Sequence, residues 1–167
     1  MGQLDLYLLR HARTLEKEVS QTDQERELAT VGLQNSTRMG IYMAQNKFLF
    51  NYIVSSPAVR AVQTAHLVAE QIKYDTEKIF LNEEIYEASV RTLLNVINNF
   101  KDEWKSVLLV GHNPSVTYLA EYITGAEIGH VTTCGLLHMV IRGNKWSAVG
   151  EKSSELKSYI YPDLLNF

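Results

Sequence analysis

Short apolar runs alternating with helix-patterned segments constrain this chain more than any other feature. Leu4 to Leu9 is nearly continuously hydrophobic, and Tyr52 to Val54, Ile79 to Leu81 and Val107 to Val110 are shorter runs of the same kind. Runs without polar alternation read as strands buried on both faces, the pattern of a parallel sheet covered by helices. Thr30 can cap a helix to Gln45, with Gly32, Ser36, Met39, Gly40 and Met43 on one close-packing face. A second helix is expected from Pro57 to Ile72, with Ala58, Val62, Ala65, Ala69 and Ile72 at helical spacing and Arg60 and Gln63 on another face. Ser89 can cap a third, carrying Val90, Leu93, Leu94 and Ile97, and a fourth should end before Gly125. Leu136 to Ile141 and Lys145 to Val149 flank Gly143-Asn144, a hairpin signal. Thr14 to Leu28 is polar and reads as a surface loop. The expected fold is α/β: a three-layer α/β/α sandwich with a mixed, mostly parallel central sheet and an antiparallel pair towards one edge.

The residues able to do chemistry fall where strands end. Arg10 and His11 close the first run, and open α/β sheets place ligands at the carboxyl ends of their strands. Ser55-Ser56-Pro57-Ala58-Val59-Arg60 follows the second run, and Val110-Gly111-His112-Asn113-Pro114 follows the fourth. In both, Pro is expected in the first helical turn behind a Ser or Asn cap, which puts Arg60 and His112 at helix mouths. Free N–H groups and the positive dipole end there favour an anion such as phosphate. Arg10 and Arg60 offer planar, permanently charged forks for phosphoryl oxygens. A neutral imidazole is a competent nucleophile near neutral pH, and a ring nitrogen that donates to a backbone carbonyl would leave the other as the attacking lone pair. The residues alone leave His11 and His112 interchangeable in that role.

This constellation resembles the histidine phosphatase superfamily, with its Arg-His pair on the first strand, a later Arg and a later His. The resemblance is nearest to the SixA-type phosphohistidine phosphatases. It extends to Asp23, Arg26, Leu28 and Gly32, to Ile85-Tyr86-Glu87-Ala88-Ser89, and to Tyr161-Pro162-Asp163-Leu164. Ala12 stands where the wider superfamily usually has Gly, as it often does in the SixA-like branch. The resemblance implies a phosphoglycerate mutase-like fold. It also implies His11 as a nucleophile that becomes transiently phosphorylated, with His112 protonated and stabilising charge when it faces phosphate. Glu87 and Asp23 are rival candidates for the proton donor, and Arg26 either orients Asp23 or reaches the substrate.

Composition narrows the alternatives. At 167 residues the chain fits one domain, residues 1–167, able to bury roughly 70% of its unfolded surface. A net charge of -3 without a basic stripe gives no footprint for nucleic acid. No apolar run approaches the ~20 residues of a membrane span, and no signal-peptide pattern opens the chain. Cys134 is the single cysteine, which suggests a reducing cytoplasm. It is expected to be buried and inert, since the short Cys-to-Arg loop of cysteine phosphatases is missing and Arg142 lies too far along. His66, His130 and His138 are expected to be structural. No ligand cluster completes a metal site around His11 and His112, and no nucleotide-binding glycine loop is present, so neither metal nor cofactor is expected. The segments that carry lids in larger relatives are short here, which suits a phosphorylated protein side chain as substrate. The alternatives are a small-molecule phosphomonoesterase or phosphoglycerate mutase-like enzyme, and a non-catalytic phosphate-binding module.

Overall fold

The structure is a computed structural model and describes residues 3–166. The strands are β1 (Leu4–Arg10), β2 (Tyr52–Ser55), β3 (Phe80–Leu81), β4 (Ser106–Gly111), β5 (Leu136–Ile141) and β6 (Ser154–Ile160). They form one six-stranded sheet in the order β3-β2-β4-β1-β5-β6. The β1–β4, β2–β4 and β2–β3 pairings are parallel, whereas β5 runs antiparallel to both β1 and β6. Helices α1 (Thr30–Gln45) and α2 (Val59–Gln71) cover one face, and α3 (Val90–Asn98) and α4 (Ser115–Thr124) cover the other. The result is the expected three-layer α/β/α sandwich with a mixed sheet.

The central strands follow directly from their composition. Leu4, Leu6 and Leu8 of β1 point into the α3/α4 side while Leu9 joins the α1/α2 side, and all four are fully buried. Burying each such side chain contributes about 1.5–3 kcal/mol, so the register of β1 against its neighbours is strongly specified. That register sets Arg10 opposite Gly111, which brings the residues after the two strands, His11 and His112, side by side.

Helix α1 buries Gly32, Ser36, Met39, Gly40 and Met43, the face read from the sequence. Gly32 is required by its surroundings. A Cβ there would collide with the backbone oxygen of Arg13, which also accepts from the Ala29 N–H at 2.9 Å. Gly32→Ala should therefore destabilise the fold by about 1–3 kcal/mol through this overpacking. Chemical denaturation measures it; a variant as stable as the parent would show that the loop after His11 is not pinned by α1. Ser89 caps α3 by accepting from Thr92 N–H at 3.1 Å, and α4 stops at Gly125, whose φ of 75° suits the left-handed end of a helix.

Several expectations need correction. Lys145 to Val149 is no strand: Trp146–Ala148 is a short 3-10 turn, and the partner of β5 is β6. Trp146 decides this. Its side chain is fully buried in the core beneath α3, its indole N–H donates to Trp104 O at 2.9 Å, and its backbone N–H donates to Asp102 Oδ1 at 2.9 Å. The tight turn at Gly143, with φ 104°, therefore leads into this plug before the chain returns.

The proline positions also differ. Helix α2 begins at Val59 behind Ala58, so Pro57 lies outside it, and Pro114 is itself the cap of α4. The Ser56 hydroxyl is used in the turn ahead of α2, accepting from Ala58 N–H at 3.2 Å. Helix α2 is rotated relative to the expected stripe and buries Arg60, Ala61, Thr64, Ala65, Val68 and Ala69. Its Val68 and Gln71 press closely on Gly40 of α1.

Candidate active site

The carboxyl ends of β1, β2 and β4 converge on His11. Its backbone N–H donates to Gly111 O at 3.1 Å and its carbonyl accepts from Cys134 N–H at 3.1 Å, so the residue is clamped between β4 and the loop before β5. His11 is 9% exposed, and its Nδ1 lies 2.8 Å from Ala12 O. A carbonyl can only accept, so Nδ1 carries the proton and Nε2 the free lone pair. Ala12 is fully buried, and its N–H donates to Thr64 Oγ at 3.0 Å, which ties the nucleophile loop to α2.

His112 stands beside it, with ring centroids 5.1 Å apart. Its Nε2 is 2.7 Å from Ser56 Oγ, and its Nδ1 is buried without a partner. Burial first, then the cations Arg60, Arg10 and Arg26 against the helpful Ala12 carbonyl, push the His11 pKa down to about 4. Burial, then His11 and Arg60, push His112 down to about 3. Both imidazoles are therefore neutral at neutral pH. The imidazolium expected of His112 would need an anion beside it to raise its pKa. An NMR titration should find both rings neutral well below pH 6.5, with His11 protonating near pH 4; titration of either near 6.5 would contradict the packing described here. The unfolded chain binds these protons near its ordinary value of ~6.5, so stability should fall as pH drops from there through the folded values.

Arg60 is 7% exposed. Its Nη1 donates to Asp23 O at 2.7 Å and its Nη2 to Asp23 Oδ2 at 2.9 Å. The Tyr86 hydroxyl donates to the same Oδ2 at 2.6 Å, and Arg26 Nη1 approaches Asp23 Oδ1 at 3.4 Å. The Tyr86 hydroxyl, followed by Arg60 and Arg26, holds the Asp23 carboxyl down to about 2 despite partial burial. Asp23 is therefore a carboxylate in this arrangement, an anchor for Arg60. Arg26 is occupied by Asp23, by Thr14 Oγ at 2.6 Å and by Leu15 O at 3.3 Å, which favours orienting over reaching. Arg10 Nη1 donates to Val131 O at 2.9 Å and lies 3.3 Å from His130 Nε2. Glu87 is exposed, one residue beyond Tyr86, with φ 53°.

The expected set thus comes together around His11, with Glu87 on the rim. Among the described residues, the buried side-chain nitrogens without a partner are Arg10 Nε, Arg26 Nε and His112 Nδ1. All belong to groups beside His11, two of them permanent cations, and such orphaned nitrogens are matched by an incoming group rich in acceptor oxygens. No group of three or more His, Cys, Asp or Glu among the described residues could hold a metal ion. Cys134 is fully buried, and burial pushes its thiol up to about 12, as far from a nucleophile as the sequence implied.

Sequence reasoning missed four supporting residues. Ser56 stands inside a quoted motif with only a capping role and Tyr86 inside another with none, and Thr64 lies one turn after Arg60. His130 comes from a loop 120 positions from Arg10, and no local pattern announces it. His138, by contrast, is structural as expected, 2.7 Å from Asp5 Oδ1 and stacked on Tyr7.

The fold and the strand-end cluster define a phosphoglycerate mutase-like α/β protein with a histidine- and arginine-lined site. The sequence model of the Histidine phosphatase superfamily (branch 1) matches residues 6–93, and the chain belongs to that superfamily. Among solved structures it is similar to an Agrobacterium tumefaciens protein assigned as a phosphohistidine phosphatase SixA, at 25% identity and TM-score 0.79 over 95% of this chain and 98% of that one. It is also similar to the protein histidine phosphatase SixA complexed with tungstate, at 20% identity and TM-score 0.84 over 98% of this chain and all of that one, 100%. A phosphoserine phosphatase mutant from Entamoeba histolytica, in complex with phosphoserine, matches at 18% identity and TM-score 0.70 over 98% of this chain and 100% of that one. No helix of the described residues is long and apolar enough to cross a membrane.

Proposed function

We propose that this chain is a phosphatase that removes phosphate from phosphohistidine in a partner protein, through a transient phosphohistidine on His11. The observation that carries the reading is the geometry of His11: Nδ1 donates to Ala12 O, which leaves Nε2 as the free lone pair, on a ring 5.1 Å from that of His112 and in the field of Arg60, Arg10 and Arg26. In the first step Nε2 attacks phosphorus, the P–N bond to the substrate imidazole breaks, and its electron pair stays on the departing nitrogen. That imidazole leaves neutral when its other nitrogen bears a proton. In the second step a water oxygen attacks phosphorus, the P–Nε2 bond breaks, and inorganic phosphate departs with the water's protons shared between product and solvent. The cations act by positioning and charge stabilisation, as phosphoryl transfer requires.

The state of the candidate acids favours a P–N bond over a phosphate ester. Asp23 is held ionised by Tyr86 and Arg60, and Glu87 is exposed on the rim. An alkoxide leaving group needs a well-placed proton donor, whereas an imidazole needs little help. The likeness to a phosphoserine phosphatase supports a small-ester reading as the alternative. A side-by-side assay on a phosphohistidine-bearing domain and a panel of phosphate esters, phosphoserine included, tests the choice with His11→Ala as control. The phosphohistidine protein should have the highest kcat/KM; faster turnover of a small ester would overturn this reading.

A further inference from the structure

Neither histidine's hydrogen-bonding state is visible in the sequence, and the surroundings of His112 constrain it closely. Ser56 is fully buried at the end of β2. Its backbone N–H donates to Val110 O at 3.0 Å, and its carbonyl accepts from Ser55 Oγ at 2.9 Å. These bonds fix the hydroxyl against β4, whose continuation carries His112.

The hydroxyl makes two contacts with different requirements. Ala58 N–H donates to Ser56 Oγ at 3.2 Å, a contact in which the oxygen must accept. The hydroxyl proton then needs an acceptor of its own, because a buried donor left unmatched is costly. Among the described contacts the group in reach is His112 Nε2, at 2.7 Å. An Nε2 that accepts carries no proton, so a neutral ring carries its proton on Nδ1. That is the buried nitrogen without a protein partner, beside His11.

We propose that Ser56 is a positioning residue that fixes His112 as the Nδ1–H tautomer, so that a neutral imidazole donates a hydrogen bond to the transferring phosphoryl group. Its use in the reaction rests on the phosphatase reading above; the tautomer itself does not. Burial holds His112 neutral, down to about 3, so the donor is present without an imidazolium. A neutral imidazole can act as an electrophilic donor in this way when its environment keeps it uncharged. The two rings then share one tautomer and present opposite ends to the site. His11 offers the Nε2 lone pair, because Ala12 O takes its Nδ1–H. His112 offers Nδ1–H, because Ser56 takes its Nε2.

The test is a long-range proton–nitrogen NMR spectrum of the ring nitrogens in uniformly labelled protein, compared with Ser56→Ala and Ser56→Thr. The parent protein should show a pyrrole-like Nδ1 and a pyridine-like Nε2 for His112, and Ser56→Ala a mixed or reversed pattern. In the same comparison Ser56→Ala should lower kcat by about tenfold to a hundredfold, less than outright loss of an oriented transition-state donor because the His112 ring remains, with KM much less affected. Ser56→Thr, which keeps the hydroxyl, should restore both the spectrum and most of kcat. The spectrum of the unsubstituted protein decides even if a variant fails to fold: a protonated Nε2 on His112 overturns the proposal. So does Ser56→Ala with an unchanged tautomer and unchanged kcat. If phosphohistidine protein is not turned over but the tautomer is as stated, the substrate reading falls while this one stands, with kcat then read on whichever ester is hydrolysed.

Discussion

Replacing His11 with Ala should reduce turnover by about 10⁴-fold or more, the scale on which loss of a covalent nucleophile is felt. The fold should survive, because what is lost locally is one ring and one bond to Ala12 O. Single-turnover phosphate release measures the effect, with thermal unfolding as the check on folding. His112→Ala should cost less, about 10²–10³-fold, because it removes an oriented donor and leaves the attacking group in place. Equal losses at the two positions would make the rings chemically equivalent, contrary to their different hydrogen-bond partners. Retained turnover in His11→Ala would eliminate it as the nucleophile.

Arg60→Ala should lower kcat/KM by about 10²–10⁴-fold under the proposed reading, which assigns this buried cation to the phosphoryl oxygens. The arginine is also the hub of its surroundings. Both of its Nη atoms are bound to Asp23, which in turn holds Tyr86 and Arg26. Lys at this position keeps the charge but cannot bridge the Asp23 carbonyl and carboxylate with one fork, so Arg60→Lys should recover only a small part of the loss. Asp23→Asn should be milder than Arg60→Ala, since it loosens the fork without removing it. Steady-state kinetics on one substrate separates these outcomes. An Arg60→Ala enzyme near the parent kcat/KM would mean that the arginine serves the loop and not the phosphoryl group.

The sequence carried the layers of the fold and the location of the cluster, for an identifiable physical reason. Strand β4 is buried on both faces beyond Ser106, and β1 carries four fully buried leucines, so both read as apolar runs whose ends are easy to place. Their parallel register then makes His11 and His112 neighbours without further information. The edge of the sheet was harder. Ser154–Ile160 alternates small, charged and half-buried residues, a weak apolar signal, whereas Trp146 and Val149 gave Lys145 to Val149 an apolar look that belongs to a core plug. The two helix mouths were predicted one turn too simply. The Ser56-Pro57 sequence suggests a helix cap, yet the Ser56 hydroxyl serves Ala58 and His112 together.

The site was legible as a list of charged and nucleophilic residues and illegible as a network. That Asp23 would be tied by Tyr86 and Arg60 depends on contacts spanning 63 and 37 residues, which no local pattern encodes. The same holds for the roles of the two histidines. Each sits at a strand end in a plausible motif, and only the acceptor on one Nδ1 and the hydroxyl on the other ring's Nε2 tell them apart.

The central claim is that the phosphoryl group passes through His11. Rapid quench of the enzyme during turnover of a phosphohistidine protein, followed by mass spectrometric mapping under alkaline conditions that preserve P–N bonds, tests it most directly. The phosphoryl group should map to the peptide containing His11 in the parent enzyme and be missing in His11→Ala. Phosphate on His112, or full turnover with no phosphorylated histidine under these conditions, would contradict it.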